Sequence, residues 1–399
     1  MDLSVRQTII AAILIFFLGK YINRRVKFLQ NYNIPEPVTG GILASLFFWL
    51  LHALFAVDVT FHMGTRDILL LTFFTTIGLS ARFKTLKEGG ISLVILLVAA
   101  VTYLFIQNLT GVTIAKVMGV DGIIGLLSGS ISLSGGHGTA IAWAQKLAGK
   151  YQLQNAAEIG VACATFGLVL GGLIGGPIAH FLIKRHQLQP VDESGQLTVG
   201  FSYNEELPKI DVEAILASIL LIALAVGLAI QLKPLILSTG IDLPDFVICL
   251  FAGIILTNTA PYIFPRLAWP AGSAAMALIA DLSLGLFLTM SLMSLQLWSL
   301  LGLAGPIVAI LVAQTTLIVL FSIFVVFRLL GRNYDAAVIV SGYAGLAMGA
   351  TPTAIANMTA VTERFGPAPK AFIVVPLVGA FFIDIANAGI IEIFLRWLR

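Results

Sequence analysis

Two short stretches carry most of the residues able to do chemistry. One is Ser134-Gly135-Gly136-His137-Gly138-Thr139-Ala140-Ile141-Ala142; the other is Met348-Gly349-Ala350-Thr351-Pro352-Thr353-Ala354-Ile355-Ala356-Asn357. Each is small, polar and broken by glycine or proline, with apolar sequence on both sides. Backbone N–H and C=O groups cannot face lipid, so a non-helical stretch at membrane depth must be shielded by protein or line a wet cavity. Both read as tips of re-entrant hairpins that bind a solute and its coupling ions. A helix restarting after a break presents unpaired N–H groups and roughly half a positive charge. Two such ends facing each other would hold a carboxylate without a buried arginine, and no arginine or lysine falls in the middle of a span here. Gly135, Gly136 and Gly138 let backbone approach a ligand closely. Thr139 and Thr353 are expected to cap the returning helices, and Pro352 removes a donor and stiffens the second break. Ser132, Ser134, Thr351, Thr353 and Asn357 offer oxygen ligands of the kind sodium takes.

Ionisable residues inside a membrane cost about 2.5–3.5 kcal/mol even on lenient scales, so each needs a reason. Asp384 lies deep in the last apolar run, with Asn387 one turn on. Facing the tips, the pair would bind sodium or an ammonium; the plainer alternative is an aspartate neutralised by a proton or by a neighbouring helix. Asp67 and Asp281 fall at expected span starts, where an aspartate is ordinarily an N-cap, and ion contact is the sharper alternative. Glu158 reads as another cap. His137 suits a proton carrier or simply a hydrogen-bond donor. Gln314, Thr165 and Asn258 are weaker candidates. The diglycines at 171–172 and 175–176 read as close-packing positions between helices. Cys163 and Cys249 each sit in an apolar run and read as small core residues.

The elements that must position these residues are membrane spans. Hydrophobic residues make up 58% of the 399 and charged residues 11%, with a mean hydropathy of +0.99; soluble domains carry about a quarter charged residues. A net charge of +3 without a basic, aromatic-interleaved patch excludes nucleic acid as a partner. No helix pairs histidines with a glutamate at metal-ligand spacing, and the membrane aspartates lack a glycine-rich protease context, so an enzyme is not expected. The run from Thr8 to Leu18 has its positive charges after it and no cleavage site, so it reads as a first span rather than a leader. With about 20 apolar residues per crossing, spans are expected at 3–22, 38–56, 67–83, 90–110, 157–183, 212–232, 243–260, 277–297, 304–330 and 369–397. Hairpins fall near 122–147 and 335–360.

An internal repeat organises these spans. At an offset of 214, Asp67 matches Asp281, Asp121 matches Asp335, and Thr139-Ala140-Ile141-Ala142 matches Thr353-Ala354-Ile355-Ala356; Phe73, Thr75 and Ser80 match Phe287, Thr289 and Ser294. The expected domains are an N-terminal repeat (1–185), a hydrophilic cytoplasmic linker (186–211) and a C-terminal repeat (212–399). Five spans per repeat invert the second relative to the first. Placing both termini outside puts fifteen of the 23 Lys and Arg residues on the cytoplasmic side, as the positive-inside rule favours. The fold class expected is thus an all-α integral membrane protein of ten transmembrane helices in two inverted-topology five-helix repeats, each with one re-entrant hairpin, a recurring plan of secondary transporters.

These residues resemble the bacterial sodium/glutamate symporters. The likeness rests on the two tips, on Ile34-Pro35-Glu36-Pro37-Val38, on Ala162-Cys163-Ala164-Thr165-Phe166-Gly167 and the residues to Gly172, and on Val375-Pro376-Leu377-Val378-Gly379 running on to Asp384. It extends over nearly the whole chain. The resemblance implies sodium-coupled inward symport of L-glutamate across the bacterial inner membrane, no organic cofactor, and a homodimer whose hairpin-bearing part moves like an elevator. A proton- or sodium-coupled citrate-like carboxylate carrier is the alternative, and a channel a more distant one. Glutamate enters a cell that is negative inside against about 2.3 kcal/mol per 100 mV, and a hundredfold accumulation costs about 2.7 kcal/mol more. At least two sodium ions per glutamate are therefore expected.

Overall fold

Ser4 starts the first long helix with a capping box: its hydroxyl accepts from the Gln7 N–H, and Gln7 Oε1 accepts from the Ser4 N–H. The computed structural model describes residues 2–32, 34–55, 57, 59–82, 90–190, 211–240, 243–263, 269–270, 272–295 and 302–398. Most of the expected linker, 191–210, lies outside the described residues. In chain order, β1 (Asp2–Leu3) precedes α1 (Val5–Asn23), α2 (Lys27–Asn31) and α3 (Glu36–Phe55); β2 (Thr60–Phe61) pairs parallel with β1. Then come α4 (Gly64–Ser80), α5 (Gly90–Val117), α6 (Gly122–Leu126), α7 (Gly136–Tyr151) and α8 (Ala156–His186). The second half holds α9 (Val212–Ser238), α10 (Asp245–Ile263), α11 (Ala274–Leu292), α12 (Ala304–Phe321), α13 (Phe327–Leu329), α14 (Tyr334–Met348), α15 (Thr351–Phe365), α16 (Pro369–Leu377) and α17 (Ile383–Trp397). Two π-helical turns, Ser322–Val326 and Val378–Phe382, and a kinked segment, Leu127–Ile131, interrupt this sequence.

Among the described residues, eight helices are long and apolar enough to cross a membrane: α1, α3, α5, α8, α9, α10, α11 and the run Ala304–Leu329. The other two stretches expected as spans form α4, of 17 residues, and the run α16, π turn, α17. The chain is thus an all-helical, multi-pass membrane protein.

By packing, the chain divides into two compact units, each drawing on both halves of the sequence. The first comprises Met1–Ala81, His137–Val161 and Ile210–Ala304; the second comprises Arg82–Gly136, Ala162–Lys209 and Gly305–Arg399.

The first unit is held by glycines that let helix backbones touch, as lipid-embedded bundles require. A Cβ on Gly78 of α4 would collide with the Leu250 carbonyl of α10, and one on Gly253 would press on α4 at Leu79 and Thr75. Gly19 and Gly40 make the same reciprocal contact between α1 and α3. Asn23 Nδ2 donates to the Ile34 carbonyl at 2.7 Å and its Oδ1 accepts from Thr39 at 2.7 Å, which fixes the turn between those helices.

The second unit is built around α5 and α14. Gly111 of α5 and Gly125 of α6 face each other so closely that a side chain on either would strike the other's carbonyl. Every residue of α14 except Asp335 is buried, and so is every residue from Gly122 to Ser134. A helix apolar all round belongs inside protein rather than on its surface. At 15 residues, α14 is also shorter than a bilayer crossing needs.

Candidate functional site

Asp121 begins the first candidate segment, its carboxylate accepting the Ile123 N–H at 2.9 Å as an N-cap. The helix it starts is broken at Gly129, whose φ of −102° and ψ of −130° leave helical space. That break frees backbone groups, and two buried amides from other helices take them. Asn108 Oδ1 of α5 accepts the Ser130 N–H at 2.9 Å; Asn387 Nδ2 of α17 donates to the Ser130 carbonyl at 3.0 Å, and Asn387 Oδ1 accepts the Ser130 hydroxyl at 2.5 Å. The chain then turns through Ser132–Gly135, with the Gly135 and Gly136 N–H groups donating to the Ser130 and Ser132 carbonyls at 3.0 Å. Gly136, at φ +68°, occupies the left-handed region that glycine enters without strain, and α7 starts there.

The second segment is simpler. α14 stops at Met348, Gly349 leaves helical space (φ −151°, ψ −95°), Ala350 is extended (φ −161°, ψ 166°), and α15 restarts at Thr351. Pro352 sits in the first turn, where its missing N–H costs nothing. No side chain caps this helix. Asn357 Nδ2 donates to the Gly171 carbonyl of α8 at 2.9 Å, within reach of the Ser341 carbonyl at 3.4 Å, which leaves Oδ1 as its group for a ligand.

Within the second unit the two breaks meet. Ser134 Oγ lies 2.7 Å from Gln107 Oε1 and 3.1 Å from the Ala347 carbonyl, two acceptors for its one proton, while Gln107 Nε2 donates to Ala347 at 3.2 Å. Gln314 Nε2 supports Gln107 by donating to its carbonyl at 2.7 Å. A Cβ on Gly136 would stand 3.5 Å from the Gly349 carbonyl oxygen. Among these groups, the hydroxyls of Ser132, Ser341 and Thr353 are buried without a hydrogen-bond partner. A buried unsatisfied polar atom costs about 1–3 kcal/mol, and a cluster of such oxygens next to bare helix ends has the chemistry of a cation-and-carboxylate site.

Not every expected residue lies in this cluster. The chain passes from the second unit into the first between Gly136 and His137, so His137, Gly138 and Thr139 belong to the first. His137 and Thr139 are buried there, and the space over Gly138 faces Phe73 and Leu284. Asp67 and Asp281 are also in the first unit. Asp67 is half-exposed, 2.8 Å from Arg66 and 3.2 Å from Gln145 Nε2. Asp384 and Asn387 are in the second unit, Asp384 in the first turn of α17 where the π turn ends; π turns inside α-helices are frequent at functional sites. Asn258 bonds the Ala81 carbonyl at 2.7 Å in the first unit, remote in role from either break.

Five capping expectations are corrected, Glu158 among them because α8 starts at Ala156 and places it in the first turn rather than at the cap. α7 and α15 begin at Gly136 and Thr351, so Thr139 and Thr353 lie inside the first turn rather than at the cap. The glycines and the extended Ala350 let the two helices restart four and three residues sooner than the threonines suggest. Asp67 is not a cap either, since α4 starts at Gly64 after Met63. α11 starts at Ala274 with Ser273 accepting the Met276 N–H at 3.2 Å, which leaves Asp281 exposed in mid-helix. Gly171 and Gly175 are packing positions as read: a Cβ on Gly175 would collide with the Asn357 amide, and one on Gly171 would press on Met348 and Gly345.

Gln107, Asn108 and Ser130 escaped the sequence reading. The signal was present as two adjacent amides within an apolar run, but that span was expected to end at 110. The helix continues to Val117, which puts both amides well inside it.

Comparison with known proteins agrees in substance. A family model described as sodium/glutamate symporter matches residues 1–367. The chain is 45% identical over 396 residues to the sodium/glutamate symporter of Escherichia coli (strain K12), covering 98% of both chains. It is 40% identical over 393 residues to the sodium/glutamate symporter of Haemophilus influenzae, covering 98% of this chain and 96% of that one.

Proposed function

Because this chain belongs to the sodium/glutamate symporter family, we propose that it imports L-glutamate by sodium-coupled symport, with the cluster around the two helix breaks as its binding site. The observation that carries the reading is the meeting of the breaks in one unit, where Ser134 and Gln107 converge on the Ala347 carbonyl beside partnerless hydroxyls on Ser132 and Thr353. The substrate carboxylate takes the first-turn N–H groups of Thr351 and Thr353 at the restart of α15. Sodium takes the hydroxyls of Ser132 and Thr353, Asn357 Oδ1, backbone carbonyls at the breaks and the Asp384 carboxylate. Asn387 shapes this set through its bonds to Ser130.

Within this proposal, α6 with the kinked segment after it and α7 form one re-entrant hairpin, and α14 with α15 the other. Two features support it. The apolar arms Gly122–Ile131 and Tyr334–Met348 are short and buried. Helix positions recur near the offset of 214: α5 and the run 304–329, α7 and α15, α8 and the run 369–397. Thr75 and Thr289, one offset apart, both donate to the carbonyl four residues back, at 2.6 and 2.8 Å. On this reading α4 and the run 369–397 complete ten crossings in two inverted repeats. The termini are periplasmic, the linker is cytoplasmic, and the protein is a homodimer of the inner membrane that moves its hairpin-bearing part like an elevator.

The test is counterflow of labelled L-glutamate in proteoliposomes, with and without sodium. Uptake that needs sodium and is speeded by a negative-inside potential is expected. Equal uptake in sodium-free buffer under a proton gradient would overturn the coupling ion, and electroneutral uptake would overturn a stoichiometry of two or more.

A further inference from the structure

Beyond Asn357, α15 and α8 separate. Between their last two turns lies a cavity of about 900 Å³, far larger than an inorganic ion needs and of the size that takes whole organic ligands. The ionisable side chains in its wall are all basic: His180, Lys184 and Arg185 from α8, and Arg364 from α15. No carboxylate lines it among the described residues. The rest of the wall is apolar, with Phe181 and Phe365 its largest members. Arg185 stands over the Phe181 ring at 5.6 Å and Arg364 over the Phe365 ring at 5.5 Å, so each guanidinium marks the border between the apolar and charged parts. The wall is open at Gly176, where nothing lies within 4 Å of a would-be Cβ.

Basic residues near helix C-termini are favoured by the helix dipole alone. That does not account for an apolar chamber shared by such residues from two helices. A small free anion has no use for the apolar wall, and a neutral lipid none for an unbalanced group of cations. An amphiphile with an anionic head matches both, and basic pockets between membrane helices at interface depth are where such headgroups bind. We propose that this cavity binds an anionic phospholipid, its phosphate among Lys184, Arg185 and Arg364 and its acyl chain against Phe181 and Phe365. The site lies outside the transport cluster and does not depend on which solute the protein carries.

The experiment is native mass spectrometry of the full chain, purified in detergent and given phosphatidylglycerol or phosphatidylcholine. The wild type is expected to retain phosphatidylglycerol in clear preference to phosphatidylcholine. Replacing three cations, K184Q/R185Q/R364Q, lowers that retention by about tenfold or more, whereas K20Q/R24Q/R25Q, which removes as much charge at the end of α1, leaves it unchanged. If the triple variant does not fold, R364Q alone is expected to give about a threefold loss. Equal retention of both lipids by the wild type would overturn the proposal. So would phosphatidylglycerol retention that survives the substitutions, or displacement of the lipid by millimolar inorganic phosphate, which would make this a free-anion site. None of these outcomes bears on sodium-driven uptake.

Discussion

The two helix breaks solve the same problem in different ways. At the first, the backbone groups released by Gly129 are taken by amides from distant helices: Asn108 holds the Ser130 N–H, Asn387 holds its carbonyl and hydroxyl, and Gln107 meets Ser134. At the second, Gly349 leaves helical space and Ala350 runs extended into a helix that no side chain caps, and Thr353 keeps a buried hydroxyl without a partner. The backbone of the first break is satisfied without a ligand, although the Ser132 hydroxyl beside it has no partner. The second has an unmet hydrogen-bonding demand. A site with one finished wall and one unfinished wall should respond unequally to substitution, and that inequality is testable.

The largest effect is expected at Thr353. Thr353→Val keeps the shape and removes the hydroxyl. If that oxygen binds sodium, the sodium concentration for half-maximal uptake rises about ten- to a hundredfold, the equivalent of about 1–3 kcal/mol. Sodium-free thermal stability should hold or rise, because an unsatisfied buried oxygen has been removed. A purely structural threonine would show the opposite, with lower stability and unchanged sodium dependence. Ser134→Ala at the first break is the contrasting variant, and its main cost should be in stability.

Asp384 comes next. Asp384→Asn retains size and hydrogen-bonding capacity while removing charge, so uptake should fall by about tenfold or more if the carboxylate balances a cation in the membrane interior. Sodium-dependent uptake at the wild-type rate would remove Asp384 from the site. Asn108→Ala follows, and it probes the finished wall. It strands the buried Ser130 N–H, which predicts a loss of about 1–3 kcal/mol, read as a lower denaturation midpoint with little change in sodium affinity for whatever fraction folds.

The contrast between the breaks also marks how far the sequence could be read. The breaks themselves were legible because glycine and proline in apolar surroundings are local signals. So were the stretches later seen as long helices, which hydropathy locates to within several residues. What failed was whatever depends on local backbone conformation at a helix start or on a partner elsewhere in the chain. Thr139 and Thr353 look like caps because threonine at a helix start usually is one, and only the backbone conformations at Gly136 and Ala350 show the helices starting earlier. Asp281 looked like a span start because its span was placed a few residues late. Gln107 and Asn108 were visible as polar residues, but their partners Ala347 and Ser130 lie 240 and 22 residues away, and no periodicity reports such a pairing. The division into two packing units was equally hidden, since each is assembled from three separate stretches.

The smallest expected effect separates the breaks by backbone alone. Gly136 has φ +68°, where a side chain costs about 1–2 kcal/mol, whereas the space around it is open apart from the Gly349 carbonyl 3.5 Å from a would-be Cβ. Gly349 is the reverse case: its φ is negative, but a Cβ would stand 3.1 Å from the Gly345 carbonyl and 3.2 Å from Leu168. Gly136→Ala should therefore lower stability by about 1 kcal/mol whether or not substrate is present. Gly349→Ala is limited by crowding that a small helix shift relieves, so its cost should depend on what the second break is doing. Measured with and without sodium and glutamate, the penalty at Gly349 is expected to change on ligand addition and that at Gly136 to stay constant. A constant penalty at both would mean that the second break is as finished as the first, and the asymmetry drawn from Thr353 would fail with it.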